Sequence, residues 1–141
     1  MIIDTHAHYH SEQFDPDREE LLASLGPAGI GMVIDIAAEA DSLGRVMELA
    51  GKYPFIYAAI GLHPDEVGDL NEETLTKIRE YLADEKTVAV GEIGLDYYWN
   101  RESRELQISS FKKQIDLALE YDKPVVIHSR EAAADTLEVV T

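Results

Sequence analysis

The sequence predicts an α/β fold built from successive βα units. Five short apolar stretches rich in β-branched residues alternate with stretches of helical periodicity, and this alternation is typical of a parallel sheet with crossover helices. Near-continuous apolar runs also indicate strands that are buried on both faces. In chain order, the predicted strands are Met1–Thr5, Met32–Ile36, Phe55–Ile60, Thr87–Ile93 and Pro124–Ile127.

Caps and apolar spacing define the helices between these strands. The first helix is expected to open at Asp15-Pro16-Asp17 and to end at Gly26–Gly29. The third is expected to begin near Asn71, and the last to run from about Glu131 to Thr141. Apolar residues at three- and four-residue spacing mark the second, third and fourth helices: Leu43, Val46, Met47 and Ala50; Leu75, Ile78 and Leu82; Ile108, Phe111, Ile115 and Ala118.

The length of 141 residues leaves two architectures open. Five units of about 28 residues make about five-eighths of a (β/α)8 TIM barrel, which typically has ~250 residues. Residues 1–141 would then be a single partial barrel domain, with about strands one to five of the eight. A five-stranded, doubly wound sheet of flavodoxin type fits the same length without loss.

Composition narrows the functional classes. The chain has 28 acidic and 12 basic residues and a net charge of -16, which disfavours nucleic-acid binding through a basic surface. It has no cysteine, which excludes disulfides and thiolate metal sites. No apolar run could span a bilayer and the N-terminus lacks a signal-peptide pattern, so we expect a cytoplasmic protein that does not contact membranes.

Four of the five histidines follow the carboxyl ends of predicted strands, where parallel α/β folds place their active sites. His6 and His8 share one side of an extended chain about 6.6 Å apart, and two imidazoles at that spacing fit one divalent metal ion. A chance surface pair, or a histidine stacked in a core, is the alternative. Asp4 precedes the pair and could orient a ring. His10 has no strand-end position, so we expect it at the surface or behind the ligands.

Glu92 lies in an otherwise apolar strand, and buried carboxylates are rare unless they are paired or bind metal. Gly91 and Gly94 leave room beside it for an ion or for backbone. The alternative is an ion pair of Glu92 with Arg130 or a lysine. Asp96 follows as a second acid, and it could be a further ligand, a base that orients water, or a simple turn residue.

The fifth predicted strand ends in His128, a third imidazole suited to a metal site. Arg130 follows and supplies a forked donor suited to phosphate or carboxylate. His63 ends the third strand and could bind metal or donate a hydrogen bond to an anionic substrate. The aromatic residues Tyr97–Trp99 could stack on a base or sugar, or cover the mouth of the barrel.

Four ordered motifs resemble the TatD family of metal-dependent hydrolases, which belongs to the amidohydrolase-like TIM barrels. The motifs are Asp4-Thr5-His6-Ala7-His8, Gly61-Leu62-His63-Pro64, Gly91-Glu92-Ile93-Gly94-Leu95-Asp96-Tyr97-Tyr98 and Ile127-His128-Ser129-Arg130. The resemblance covers essentially the whole chain. It implies hydrolysis of DNA phosphodiester bonds by metal-activated water, with Mg2+-dependent 3′ to 5′ exonuclease activity.

The resemblance also implies roles for single residues. His6 and His8 would bind one metal ion, His128 would bind a second, and Glu92 would be the catalytic carboxylate that bridges the two. The expected cofactors are therefore two divalent ions, Mg2+, Mn2+ or Zn2+.

Two further residues, His63 and Arg130, would contact the scissile phosphate of DNA or of another phosphate-bearing substrate. The acidic mouth would repel such a substrate until cations reverse the local field. A flat sheet would hold its two edge strands about 19 Å apart. His6 and His128 can therefore share a site only if the sheet curls.

Members of the family have a further histidine after the sixth strand and an aspartate after the eighth. The only aspartate after His128 is Asp135, inside the predicted last helix. We therefore expect an N-terminal part of a barrel that is weakly active or inactive alone, with open sheet edges available for self-association. Two other functions remain open: a metallohydrolase of a small anionic substrate, and a noncatalytic α/β interaction module that retains relics of a metal site.

Overall fold

A computed structural model describes residues 1–100 and 103–141 and confirms the α/β class. The strands are β1 (Ile2–Ala7), β2 (Ile30–Ile36), β3 (Ile56–Ala59), β4 (Thr87–Asp96) and β5 (Val125–Arg130). The helices are α1 (Arg18–Leu25), α2 (Ser42–Lys52), α3 (Glu72–Leu82), α4 (Arg104–Glu120) and α5 (Ala133–Val140). Short 3-10 segments at Glu12–Phe14 and Pro64–Asp69 precede α1 and α3.

The five strands form one parallel sheet in the order β1-β2-β3-β4-β5. A flavodoxin-type sheet would place β1 between β2 and β3. The doubly wound alternative is therefore wrong, and the sequential order is that of a (β/α)8 barrel.

The sheet is curled rather than flat. Neighbouring strands lie about 4.8 Å apart, so β2 and β4 would be separated by about 10 Å in a flat sheet. Instead, the backbone N–H of Glu92 on β4 donates to the carbonyl oxygen of Ala37, the residue after β2, at 2.9 Å. The chain therefore forms a half-barrel in which side chains on distant strands can meet.

The central strands are buried, as the apolar runs predict, but the two edge strands are not. Val33, Ile56 and Ile93 are fully buried on β2, β3 and β4. Ile2 on β1 is 60% exposed and Ile127 on β5 is 40% exposed. Burial on both faces is therefore wrong for β1 and β5, because each pairs with one neighbouring strand only in the described part of the chain.

Helix α4 buries only part of the predicted face: Phe111 and Ala118 are buried as expected, but the buried side is turned toward Gln107 and Gln114. Gln107, Phe111, Gln114 and Ala118 are buried, whereas the predicted core residues Ile108 and Ile115 are only partly buried. This buried face is centred on Phe111 and includes two amides. It is the side of the helix that lies against the ends of β3 and β4.

The strand ends are shifted relative to the predicted boundaries. Strands β1 and β5 extend to Ala7 and Arg130, so His6 and His128 lie in their last residues rather than after them. The first helix begins at Arg18 and the last at Ala133, two or three residues later than expected from the caps.

Within residues 1–100 and 103–141, no helix is long and apolar enough to cross a membrane. The cytoplasmic location expected from the sequence stays a prediction.

Candidate metal centre

Glu92 lies at the centre of a cluster formed by the carboxyl ends of β1, β4 and β5. Its Oε2 is 3.3 Å from Nε2 of His6, and its Oε1 is 3.1 Å from Nδ1 of His128. The Glu92 side chain is only 12% exposed. Among the described residues it pairs with these histidines rather than with Arg130 or a lysine, so each carboxylate oxygen faces a different imidazole.

Two groups of possible ligands share Glu92. One comprises His6, His8 and Glu92, and the other comprises His63, Glu92 and His128. Within each group the ligand atoms lie within 4.8 Å of one another. Ligand atoms about 2 Å from a common ion fit this separation, and imidazole with carboxylate suits divalent transition metals. The donor set therefore fits one or two divalent cations.

His6 and His8 point to the same side of the chain, with ring centroids 5.1 Å apart. Nδ1 of His8 lies 2.8 Å from the carbonyl oxygen of Ile36, to which it donates. This hydrogen bond leaves Nε2 of His8 with its lone pair, as a metal ligand requires. Asp4 accepts the backbone N–H of His6 at 3.2 Å, so in this structure it holds the backbone of the pair rather than a ring.

Asp96 connects the cluster to the loop that follows β4. Its Oδ2 is 2.8 Å from Nε2 of His128, and its Oδ1 accepts the backbone N–H groups of Tyr98 at 2.9 Å and Trp99 at 3.2 Å. Burial raises the pKa of Asp96, but the hydrogen bonds from His128, Trp99 and Tyr98 outweigh it, and the net pKa lies below its usual value. Asp96 therefore stays anionic and orients His128.

His63 follows β3 and packs against His128, with ring centroids 4.2 Å apart. Its Nδ1 accepts the backbone N–H of Asp65 at 3.2 Å. Burial and the neighbouring His128 lower the pKa of His63. The ring is therefore neutral, with its proton on Nε2, and presents an N–H donor. In this tautomer His63 is a hydrogen-bond donor rather than a metal ligand, although it also lies within ligand distance of Asp65 and Asp96.

Arg130 lies at the rim of the cluster. Its Cζ atom is 3.9 Å from the ring centroid of Tyr98 and 5.6 Å from that of Trp99. Tyr97 behaves differently from these two, because its hydroxyl donates to Asp135 of α5 at 2.5 Å. The three aromatic residues therefore divide into one that fixes α5 and two that are exposed at the rim.

Gly91 and Gly94 provide room for backbone rather than for an ion. A Cβ atom at Gly91 would lie 2.7 Å from Cβ of Val126 on β5. At Gly94, where φ is +147°, a Cβ atom would collide with the carbonyl oxygen of His128. The two glycines therefore let β5 approach β4 closely enough to bring His128 to Glu92.

Two buried glutamines on α4 support the cluster, and sequence reasoning missed both. Gln107 accepts the backbone N–H of Asp96 at 2.8 Å and donates to its carbonyl oxygen at 2.9 Å. Gln114 makes the same pair of bonds to Leu62, the residue before His63, at 2.8 Å and 3.1 Å. The two amides are seven residues apart on the helix face that includes Phe111, but a neutral amide carries no signal in the sequence that would separate it from an exposed polar residue.

His10 is buried rather than at the surface, so the surface alternative is wrong for this residue. Its Nδ1 lies 2.8 Å from Oδ2 of Asp35, and the side chains are 7% and 0% exposed. Asp35 also accepts the backbone N–H groups of Tyr9 and His10. The signal that could have found Asp35 is an acid inside the apolar strand Met32–Ile36, the same signal that identified Glu92.

A curled parallel sheet with histidines and carboxylates at its carboxyl end is the arrangement of barrel-type metal-dependent hydrolases. The protein-family model described as "TatD related DNase" matches residues 3–141. The chain therefore belongs to the TatD family, as the four motifs indicated.

Individual relatives agree with this assignment. The uncharacterized metal-dependent hydrolase YabD of Bacillus subtilis is 40% identical over 140 residues, covering 99% of this chain and 55% of that protein. The 3′-5′ ssDNA/RNA exonuclease TatD of Cronobacter sakazakii is 30% identical over 130 residues, covering 92% and 49%.

A solved structure supports the fold. The crystal structure of YjjV, a TatD homologue from Escherichia coli K12, superposes with a TM-score of 0.89 at 37% identity and covers 97% of this chain and 54% of that one. The chain thus spans about half the length of the relatives it matches.

Proposed function

We propose that residues 1–141 form one partial barrel domain of a divalent-metal-dependent nuclease that removes nucleotides from the 3′ end of single-stranded DNA or RNA. The observation that carries this proposal is the position of Glu92 between His6 and His128, with one carboxylate oxygen facing each ring. The exonuclease name of the Cronobacter relative supports the substrate class.

His6, His8 and Glu92 would hold one cation, and Glu92 with His128 would hold a second. When bound, Mg2+, Mn2+ or Zn2+ lowers the pKa of a coordinated water and stabilises negative charge on phosphoryl oxygens. A cation would replace the contact between Glu92 and His128, while the hydrogen bond that Nε2 of His128 donates to Asp96 keeps the ring in its orientation.

His63 and Arg130 would bind the scissile phosphate. The Nε2–H of His63 is the donor left free by the bond from Asp65 to Nδ1, so it is available to a phosphoryl oxygen. Arg130 supplies a permanent positive charge in a chain of net charge -16. Because the cluster is rich in carboxylates, the phosphate is expected to bind only when cations are present.

Titration with Mn2+ tests the two-cation assignment. We expect two equivalents per chain by isothermal titration calorimetry, with His6→Ala and His128→Ala each removing one. Arg45→Ala, on the outer helix α2, is the matched control and should retain both. The absence of stoichiometric binding would contradict the proposal and favour the noncatalytic interaction module.

An assay on single-stranded DNA labelled at its 5′ or 3′ end tests the activity. We expect shortening from the 3′ end with Mg2+ or Mn2+, at a rate well below that of the longer Cronobacter exonuclease, and none for Glu92→Gln. Turnover comparable to that of the longer enzyme would contradict the expectation that residues 1–141 alone are weakly active. Cleavage of DNA by the Glu92→Gln variant would contradict the proposed role of Glu92.

The open edges of the sheet are proposed to pair with a second copy of the chain. Ile2 and Ile3 on β1 are 60% and 48% exposed, and β1 and β5 each have one unpaired edge in the described part of the chain. Sedimentation velocity should show a concentration-dependent dimer that Ile3→Lys abolishes. A monomer at all concentrations would contradict this pairing.

A further inference from the structure

Two aromatic side chains are exposed at the rim of the metal centre. Tyr98 is 50% exposed and Trp99 is 68% exposed, and their rings meet edge to face with centroids 4.6 Å apart. Large aromatic side chains in water favour association with another flat apolar surface.

The backbone beneath these rings is fixed although the rings are exposed. Oδ1 of Asp96 accepts the N–H groups of both Tyr98 and Trp99, and Gln107 donates to the carbonyl oxygen of Asn100 at 2.9 Å. Binding of a flat ligand here would therefore require little further ordering of the backbone and lose little conformational entropy.

Asp96 also connects the backbone of these aromatic residues to the metal centre. Its second oxygen lies 2.8 Å from Nε2 of His128, so a single carboxylate connects the exposed rings to a proposed metal ligand. A nucleotide whose phosphate lies at the metal centre would place its base near the rim.

Arg130 adds a cation to the same surface. Its guanidinium lies over the Tyr98 ring, on the strand position paired with Asp96. Planar guanidinium and aromatic rings both stack on nucleobases, and such stacking is tolerant of sequence because every base has a π-face.

We propose that Tyr98, Trp99 and Arg130 form a stacking platform for an unpaired base next to the scissile phosphate. The inference rests on the proposed function and names what the site recognises: the faces of unpaired bases. Base stacking would supply affinity that the acidic surface cannot supply through phosphate contacts. Duplex ends, whose bases are already stacked, would bind less well.

Trp99 is the only tryptophan of the chain, so its fluorescence reports directly on the platform. We would titrate the chain in Mn2+ with hydrolysis-resistant phosphorothioate hexathymidylate and with an abasic strand of equal length and charge. The thymidylate strand should quench Trp99 and bind about 10-fold more tightly than the abasic strand.

Variants separate the platform from the metal centre. Trp99→Ala, followed by anisotropy of labelled strands, should lower affinity for the thymidylate strand to that for the abasic strand and leave the latter unchanged. Leu119→Ala, an exposed apolar residue near the other end of α4, is the control and should change neither.

The outcomes distinguish this inference from the proposed function. Equal affinity for both strands with unchanged Trp99 emission would overturn the platform and leave the nuclease proposal intact. Failure of both strands to bind in the presence of Mn2+ would overturn both proposals.

Discussion

Two histidine–carboxylate pairs in this molecule have the same nitrogen–oxygen distance and opposite surroundings. Nδ1 of His10 and Oδ2 of Asp35 are 2.8 Å apart, as are Nε2 of His128 and Oδ2 of Asp96. Both oxygens of Asp35 also accept backbone N–H groups, and the pair is sealed in the core. His128 instead has a second carboxylate, Glu92, at its other ring nitrogen and remains partly exposed.

The difference shows what makes such a pair structural or functional. The carboxylate of Asp35 is already occupied by the His10 ring and by the backbone N–H groups of Tyr9 and His10, so nothing remains for a ligand to provide. Glu92 is contacted by imidazole rings from two strands, and in the proposed metal centre cations would lie between these rings and the carboxylate. The donors around each carboxylate, rather than the distance within the pair, therefore separate the two cases.

The largest expected effect comes from breaking the sealed pair. Asp35→Ala leaves the His10 ring and two backbone N–H groups without an acceptor in the core, and we expect the free energy of unfolding to fall by about 3–5 kcal/mol. Urea denaturation measures this. Glu80→Ala, on the exposed face of α3, is the control and should change stability by less than about 0.5 kcal/mol. A small loss of stability in Asp35→Ala would contradict a structural role for the His10–Asp35 pair. Weaker Mn2+ binding by the folded fraction of this variant would contradict its separation from the metal centre.

Glu92→Gln should weaken metal binding and leave stability nearly unchanged, the reverse of what is expected for Asp35→Ala. The amide keeps the shape but removes the charge, so Mn2+ affinity is expected to fall at least about 100-fold, or about 2.7 kcal/mol. Stability without metal should stay within about 1 kcal/mol of the parent. Calorimetry and urea denaturation measure the two quantities, with Glu105→Gln on the exposed face of α4 as the control. Destabilisation without loss of Mn2+ binding would assign Glu92 a structural role.

Sequence reasoning found residues whose chemistry contrasts with their neighbours. Glu92 and the strand-end histidines are such residues, and the alternation of strands and helices gave the α/β class. Asp35, like Glu92, is an acid within an apolar strand, but only the structure shows that His10 packs over it and makes a hydrogen bond to it. Gln107 and Gln114 could not be distinguished from exposed polar residues, because a neutral amide gives no charge or apolar signal and its burial depends on where β3 and β4 end.

Gln107→Met tests whether this support reaches the cluster. It leaves the backbone groups of Asp96 unpaired in the interior, with an expected cost of about 1–3 kcal/mol in stability. The resulting shift of Asp96 and His128 should weaken Mn2+ binding about 10-fold. Gln114→Met is the matched variant and should lower stability by a similar amount. It should change Mn2+ affinity less, because its partner Leu62 precedes His63, which is proposed to contact phosphate rather than Mn2+. Equal Mn2+ affinities for all three proteins would limit the glutamines to a structural role.

The smallest expected effect concerns Tyr97, whose hydroxyl donates a hydrogen bond to the carboxylate of Asp135. Burial and the hydrogen bond to Asp135 raise the pKa of Tyr97 to about 12, against about 10 in the unfolded chain. The unfolded state therefore loses its proton first, so this contribution is complete below pH 10 and is lost as the pH rises toward about 12. Urea denaturation at several alkaline pH values should show that Tyr97→Phe flattens this decline. An unchanged slope would contradict the assignment.

Helix α4 imposes a rule on insertions and deletions. Gln107 and Gln114 are seven residues apart, close to two turns of 3.6 residues, so both amides leave the same face. Adding or removing one residue between them would rotate one amide by about 100° relative to the other and detach it from its strand end. Length changes after Tyr121, beyond the helix, leave that phase intact. Gaps in alignments of related chains should therefore cluster outside positions 107 to 114, even where the residues within that interval differ.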